Sequence, residues 1–298
     1  MYRNRTFPQK IYDILRWIKP EVLNDSAPEV DVAISDEPLV VRLKKCVNLM
    51  KAEAIDLEKG RIDYGRLAGS ETYAIYRALT VRLQKFDLSE LSSRQEKLAF
   101  WINIYNALII DGIIRYGAKK SVNKIPGFFE RVAYNIGGYR FSTDDIEHGI
   151  LRSNAGHLVI PGSQFGENDP RRSFMMDTLD FRIHFAVVCG ARSCPPINFY
   201  DVEKIDEQLD LAARSFLNSD GAEIDIARKR MTLSKILQWY GADFGAGSLI
   251  LLGFGDKTPI LQTIAPYIVD EEKRTFIHQH AGELKVRFRG YDWSLNQI

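Results

Sequence analysis

Leu98-Ala99-Phe100-Trp101-Ile102-Asn103-Ile104-Tyr105-Asn106-Ala107-Leu108-Ile109-Ile110-Asp111-Gly112-Ile113-Ile114 is apolar on most faces of a helix drawn through it. Such a helix belongs in the middle of a domain, because a surface helix keeps a polar side. Ser92 or Ser93 can cap its start, Gln95 or Glu96 can complete a capping box, and Gly117 supplies a stop after Tyr116. Asn103 and Asn106 lie three apart on this helix. A buried amide left without partners costs on the order of 1 to 3 kcal/mol, so both are expected to hold a loop, a water or a ligand. Structural anchoring is the commoner use of such a side chain. The same asparagines and Asp111 interrupt the apolar run, and no stretch of roughly eighteen apolar residues, the length of a spanning helix, occurs in the sequence.

Outward from this helix, Leu39 to Leu57 and Ser70 to Lys85 have helical periodicity, with Cys46 read as a packing residue. Val132 to Ile136 and Tyr139 to Phe141 flank Gly137-Gly138, the pattern of a hairpin. Ser142 can cap a following helix whose first turn holds Asp144 and Asp145, with His148 one turn on. Residues 153 to 180 are rich in Gly, Asn, Pro and charge and are read as a cover over a site or a surface excursion. Arg182 to Val188 is read as an interior strand leading to Cys189. Asp201 is read as capping a helix through Asn218. A hairpin over 223 to 226 and 230 to 233, helices over 234 to 240 and 258 to 268, and a last strand at 285 to 288 complete the expectation. Helices and hairpins come in blocks without βαβ alternation. The fold class expected is therefore α+β, a central buried helix packed on an antiparallel sheet with surrounding helices.

The chain has 298 residues, enough for a large core. Forty Lys and Arg against thirty-nine Asp and Glu leave a net charge of +1, which gives no general field for nucleic acid, and none is expected as a partner. Residues 8 to 19 place Ile11, Ile14, Leu15 and Ile18 on one helical face. Docking of this short amphipathic helix on the main domain is preferred to peripheral membrane contact. Glu21 to Glu37, acidic and bounded by prolines, reads as a linker, so 1–38 is taken as an N-terminal helix with an acidic linker and 39–298 as a single α+β domain. Three cysteines are too few for a disulfide framework, and the N-terminus lacks the pattern of a secretory signal; a reducing, cytoplasmic setting is expected.

Two windows hold most of the reactive side chains: Asp144-Asp145-Ile146-Glu147-His148 and Cys189-Gly190-Ala191-Arg192-Ser193-Cys194-Pro195-Pro196. Sulfur, imidazole and carboxylate can supply a nucleophile, a base and a group that orients the base. The reading takes Cys194 as nucleophile, since it sits in a loop while Cys189 closes an apolar run. His148 is its base, and Asp145 or Asp144 orients the imidazole. Asn106, Glu147, Arg152 and Arg192 are candidates for contact with a small-molecule or peptide substrate. Arg152 has a competing role in neutralising Asp145 or Glu147, and Cys194 and His148 each have a competing role as packing or backbone-satisfying residues. No metal is expected, because His148, His184, Cys189 and Cys194 lack the usual ligand spacings. No Walker loop and no GxGxxG after a strand occur, so no cofactor is expected either.

Phe100-Trp101-Ile102-Asn103-Ile104-Tyr105-Asn106-Ala107-Leu108, Asp144 to His148 followed by Gly149-Ile150-Leu151-Arg152, Cys189 to Pro196, and Tyr291-Asp292-Trp293-Ser294-Leu295-Asn296, in that order, resemble the family called domain of unknown function 547. The resemblance spans about Ile62 to Asn296. It implies a relation to papain-like or transglutaminase-like folds, which are α+β and set a cysteine on a central helix against an antiparallel sheet. This sequence departs from that pattern, since Leu98, Ala99, Phe100 and Trp101 stand where the helix-start cysteine would be. Either the elements are permuted and Cys194 supplies the nucleophile, or the scaffold is that of a pseudo-enzyme. The functional expectation is a thiol-dependent hydrolase or acyltransferase with a Cys-His site; the alternative is a non-catalytic module binding a peptide or small ligand.

Overall fold

The computed structural model describes residues 11, 14, 21–32, 35–56, 59–158 and 160–298. The amphipathic stretch at 8–19, apart from Ile11 and Ile14, lies outside the described residues. The fold is α+β. The described residues sort into two compact units, one within 1–179, 187–205 and 293–298, the other of 180–186 and 206–292.

In the first unit, α1 (Leu39–Ala54) buries Leu43, Cys46, Val47 and Met50 at helical spacing. Strands β1 (Ile55–Asp56) and β2 (Arg61–Ile62) form a short antiparallel pair. Helix α2 (Tyr64–Ala68) and α3 (Glu71–Arg82) follow, α3 capped by the Ser70 hydroxyl, which accepts from the Tyr73 amide. The long apolar helix is α4 (Arg94–Arg115). Ser93 and Glu96 close its capping box, as the sequence predicts. It is long and apolar enough to cross a membrane by length and composition, yet 83% of that window is buried inside the protein, the position of a core helix. A short α5 (Phe128–Arg131) leads into the hairpin β3 (Ala133–Ile136) and β4 (Tyr139–Ser142), which is antiparallel. Its turn places Gly137 and Gly138 at positive φ, a backbone few other residues adopt.

The hairpin packs on α4 through rings and one buried acid. Trp101 meets Phe141 with centroids 4.8 Å apart, and Asp111 accepts hydrogen bonds from Tyr73 and Tyr134. Burial pushes the Asp111 carboxyl up against the pull of those two hydroxyls. The start of the acidic segment is tied to the same hairpin. Asn24 is fully buried, donates to the Thr80 and Asn135 carbonyls, and accepts the Asn135 amide. Composition hid this docking, since one asparagine among acidic residues carries no periodic signal.

The second unit holds α6 (Ile205–Phe216), the hairpin β5 (Ala222–Asp225) and β6 (Arg230–Leu233), then α7 (Lys235–Trp239), α8 (Thr258–Ile264), α9 (Glu271–His280) and β7 (Lys285–Phe288). The expected sheet was antiparallel; β5 and β6 are, but β7 joins β6 in parallel, pairing Met231 with Val286. A parallel partner arrives by a helical crossover, which α7 to α9 provide. The strand expected over Arg182 to Val188 is instead a 3-10 helix, Phe181–Phe185. Asp180 accepts the Arg182 amide and caps it, and the Arg182 guanidinium binds Asp180, Asp206 and Asp210 at 2.6 to 2.7 Å. Phe181, Ile183 and Phe185 alternate with Arg182 and His184, a period-two pattern that reads as a strand over so few residues.

Candidate functional site

All of the predicted site residues lie in the first unit. Helix α4 positions the cysteine segment. Asn106 Nδ2 donates to the Asn198 carbonyl at 3.0 Å and Oδ1 accepts the Val188 amide at 3.1 Å. One turn earlier, Asn103 makes the same exchange with Tyr200. Asn106 thus grips the segment on both sides of Cys189 and Cys194, the anchoring role weighed for it in the sequence.

Between these clamps the chain turns at Gly190, which has φ of 79°. A Cβ there would stand 2.5 Å from Ile113 Cδ1 of α4. The C-terminal segment closes the other side: Arg192 donates its amide to Ser294, Ala191 bridges Leu295, and the Asn296 amide donates to the Gly190 carbonyl at 2.9 Å. Asn296 Oδ1 accepts from the Tyr64 hydroxyl at 2.6 Å. Burial holds that hydroxyl well above its ordinary pKa, and the Cys194 and Cys189 sulfurs raise it further. The Arg192 side chain itself is exposed.

Within the turn, the sulfurs of Cys189 and Cys194 lie 2.9 Å apart, and the Cys189 amide donates to Cys194 Sγ at 3.2 Å. Both residues are half-buried, so the expected contrast between an exposed Cys194 and a buried Cys189 does not hold. An N–H aimed at sulfur favours the thiolate. The Cys46 thiol, on α1, is pushed up to about 12 by burial and by the nearby Glu53. An open cleft of about 420 Å³ is lined by Tyr64, Ile113, Ile114, Gly117, Lys119 and Gln297, with no residue of the cysteine turn in its lining.

The second window forms a π-helix, Asp145–Leu151, and seven consecutive residues of it are buried. Ser142 and Asp145 cap each other's amides at 3.0 and 3.1 Å. Asp145 also meets Arg171 at 3.1 Å and accepts from Gln164, which gives it a structural job. Asp144 carries the carboxylate beside His148, with Oδ1 3.9 Å from Nε2. The wider π turns and the capping bonds turn these neighbouring carboxylates to different partners. Glu147 accepts from the Tyr105 hydroxyl of α4 at 2.8 Å. Arg152 Nη1 reaches the Gly156 carbonyl at 2.7 Å and His148 Nδ1 at 2.9 Å. A guanidinium has no acceptor, so Nδ1 must accept and a neutral His148 carries its proton on Nε2.

His157, which sequence reasoning passed over, comes to the same place from the following loop. Its Nε2 is 3.8 Å from Asp144 Oδ2, and its ring stands edge-on to His148 with centroids 5.1 Å apart. The donor atoms of Asp144, His148 and His157 lie within 4.8 Å of one another, close enough to surround a cation. Arg152 opposes that use. Ligation through Nε2 would move the ring proton to Nδ1, against the N–H of Arg152, whereas a metal-bound imidazole ordinarily donates its second N–H to an acceptor. Nothing in the sequence flagged His157, because it joins the group through a loop of no regular period.

Neither the curated proteins nor the solved structures contain a match to this chain. A family model described as "Protein of unknown function, DUF547" matches residues 88–217, the stretch that holds α4, the hairpin, the π-helix with His148, and both cysteines of the turn. The match supports the resemblance carried by the motifs at Phe100 to Leu108, Asp144 to Arg152 and Cys189 to Pro196; the motif at Tyr291 to Asn296 lies outside it.

Proposed function

We propose that this protein is a thiol-dependent hydrolase or acyltransferase whose nucleophile is Cys194. The observation that carries the reading is the backbone amide of Cys189 on Cys194 Sγ at 3.2 Å, inside a half-buried turn that α4 and the C-terminal segment hold rigidly. The fixed N–H donor supports negative charge as it develops on the attacking sulfur. The attacking sulfur forms a thioester with an acyl group and releases the leaving group, and water or a second nucleophile then takes the acyl group. The acyl donor in this reading is a small molecule or a peptide.

In this proposal the Cys189 amide supports the attacking Cys194 sulfur, and His148 is not its base. The base role first expected for His148 is disfavoured by Arg152 on Nδ1. A panel of activated thioesters and esters tests the reading, with release of the leaving group followed in wild type and Cys194→Ser. Acylated Cys194 trapped in an acid quench, and loss of turnover in the variant, are expected. Equal turnover in both proteins, or no acylation across the panel, would remove Cys194 from the chemistry.

The second reading is a binding module without covalent chemistry. It is favoured by the same Arg152 contact, which fixes His148 as a donor among buried polar groups, an arrangement suited to recognition.

A further inference from the structure

The nucleophile proposed above has a second thiol beside it, and the acyl chemistry makes no use of it. Cys189 Sγ stands 2.9 Å from Cys194 Sγ, against about 2.05 Å in a disulfide, so less than about 1 Å of approach separates the two states. Pairs of core cysteines that merely pack do not need to meet sulfur to sulfur. The turn between them closes over Gly190, whose positive φ lets six residues bring their ends together. Both residues are half-buried, open enough for a small reagent. The amide that favours the thiolate points at Cys194, which makes Cys194 the attacking sulfur and leaves Cys189 as the second.

We infer that Cys194 and Cys189 form a dithiol site for thiol–disulfide exchange, with a small-molecule disulfide as the reacting partner. The inference rests on the same reactive Cys194 as the proposed function, and adds Cys189 as its resolving partner. The Cys194 thiolate attacks one sulfur of the disulfide RSSR. A bond forms between Cys194 and that sulfur, the RS–SR bond breaks, and one RS⁻ leaves. The Cys189 thiolate then attacks Cys194 Sγ; the Cys189–Cys194 bond forms and the second RS⁻ departs. Both leaving thiolates take up the protons the two cysteines gave to solvent. The protein dithiol is oxidised, the partner disulfide is reduced to two thiols, and acyl chemistry at Cys194 is suspended until a thiol reverses the exchange.

The test uses the full reduced chain with oxidised glutathione, acid-quenched at intervals and mapped by peptide mass. In wild type the mixed disulfide on Cys194 should be transient and a Cys189–Cys194 bond should accumulate, while Cys46 stays reduced. In Cys189→Ser the glutathione adduct on Cys194 should persist. Persistent adducts in wild type, with Cys189 still open to alkylation, would overturn the dithiol site. That result leaves the acyl reading intact, because it still shows a reactive Cys194. An unreactive Cys194 in both proteins overturns both. The wild-type time course decides the matter even if the variant folds poorly.

Discussion

Asn103 on α4 and Tyr200 exchange two hydrogen bonds, Nδ2 donating to the Tyr200 carbonyl at 2.8 Å and Oδ1 accepting its amide at 2.7 Å. With the matching exchange at Asn106, this pair ties the whole cysteine segment to the core helix. The amides thus satisfy backbone groups that an irregular buried segment cannot pair with itself.

Asn106→Ala should cost roughly 2 to 4 kcal/mol, because it leaves the Val188 amide and the Asn198 carbonyl without a side-chain partner, at about 1 to 3 kcal/mol for each buried group less local rearrangement. Urea unfolding measures this directly. Asn106→Ala should also label faster at Cys189, as the segment loosens. A loss under about 0.5 kcal/mol, the range of ordinary surface changes, would show that the segment is held by other means.

Gly190→Ala combines a positive φ with a Cβ placed 2.5 Å from Ile113 Cδ1. A left-handed backbone costs an L-residue about 1 to 2 kcal/mol before the clash is counted. The melting temperature should fall, and oxidation of the Cys189–Cys194 pair should slow. An unchanged melting temperature would contradict the tight turn described for this loop.

Removing residues 293–298 takes away the Ile62↔Gln297 and Ala191↔Leu295 bridges, the Asn296 bond to Gly190 and the acceptor of the Tyr64 hydroxyl. The truncated chain should lose stability, and Cys189 and Cys194 should become readily alkylated. If both stability and labelling match the full chain, the C-terminal segment has no part in forming the turn.

Asp111 gives a pH prediction. Its folded pKa is raised, chiefly by burial, so the folded state favours the protonated acid. The stability from this group is fully present below the unfolded value of about 3.9 and is lost as pH rises through the folded value. Asp111→Asn has no such titration. Relative to that variant, wild type should weaken steadily as pH climbs from about 4, measured by denaturant midpoints. A difference that stays constant with pH would mean that Asp111 titrates alike in both states.

Much of the fold was legible because it depends on local rules. The capping box at Ser93 and Glu96, the Gly137-Gly138 hairpin and the apolar periodicity of α1 and α3 announce themselves within a few residues. Phe181–Phe185 reads as a strand because apolar and polar residues alternate along it, and the parallel pairing of β7 depends on a partner more than fifty residues away. In the site, the two windows marked the right segments, but their internal arrangement needed tertiary contacts. A π-helix turns Asp144 and Asp145 apart, Arg152 fixes the His148 tautomer, and His157 arrives from a loop. The approach of Cys189 to Cys194 depends on Gly190 fitting under Ile113, which spacing alone does not reveal.

The most direct measurement is the alkylation rate of Cys194 against pH, resolved from Cys46 and Cys189 by peptide mapping, in wild type and His148→Ala. The account predicts that Cys194 labels in the folded protein, much faster than Cys46 and at a rate unchanged in His148→Ala. It also predicts a Cys46 that reacts only on unfolding, in keeping with its thiol at about 12. Labelling of Cys194 only after denaturation, or no faster than Cys46, would contradict it.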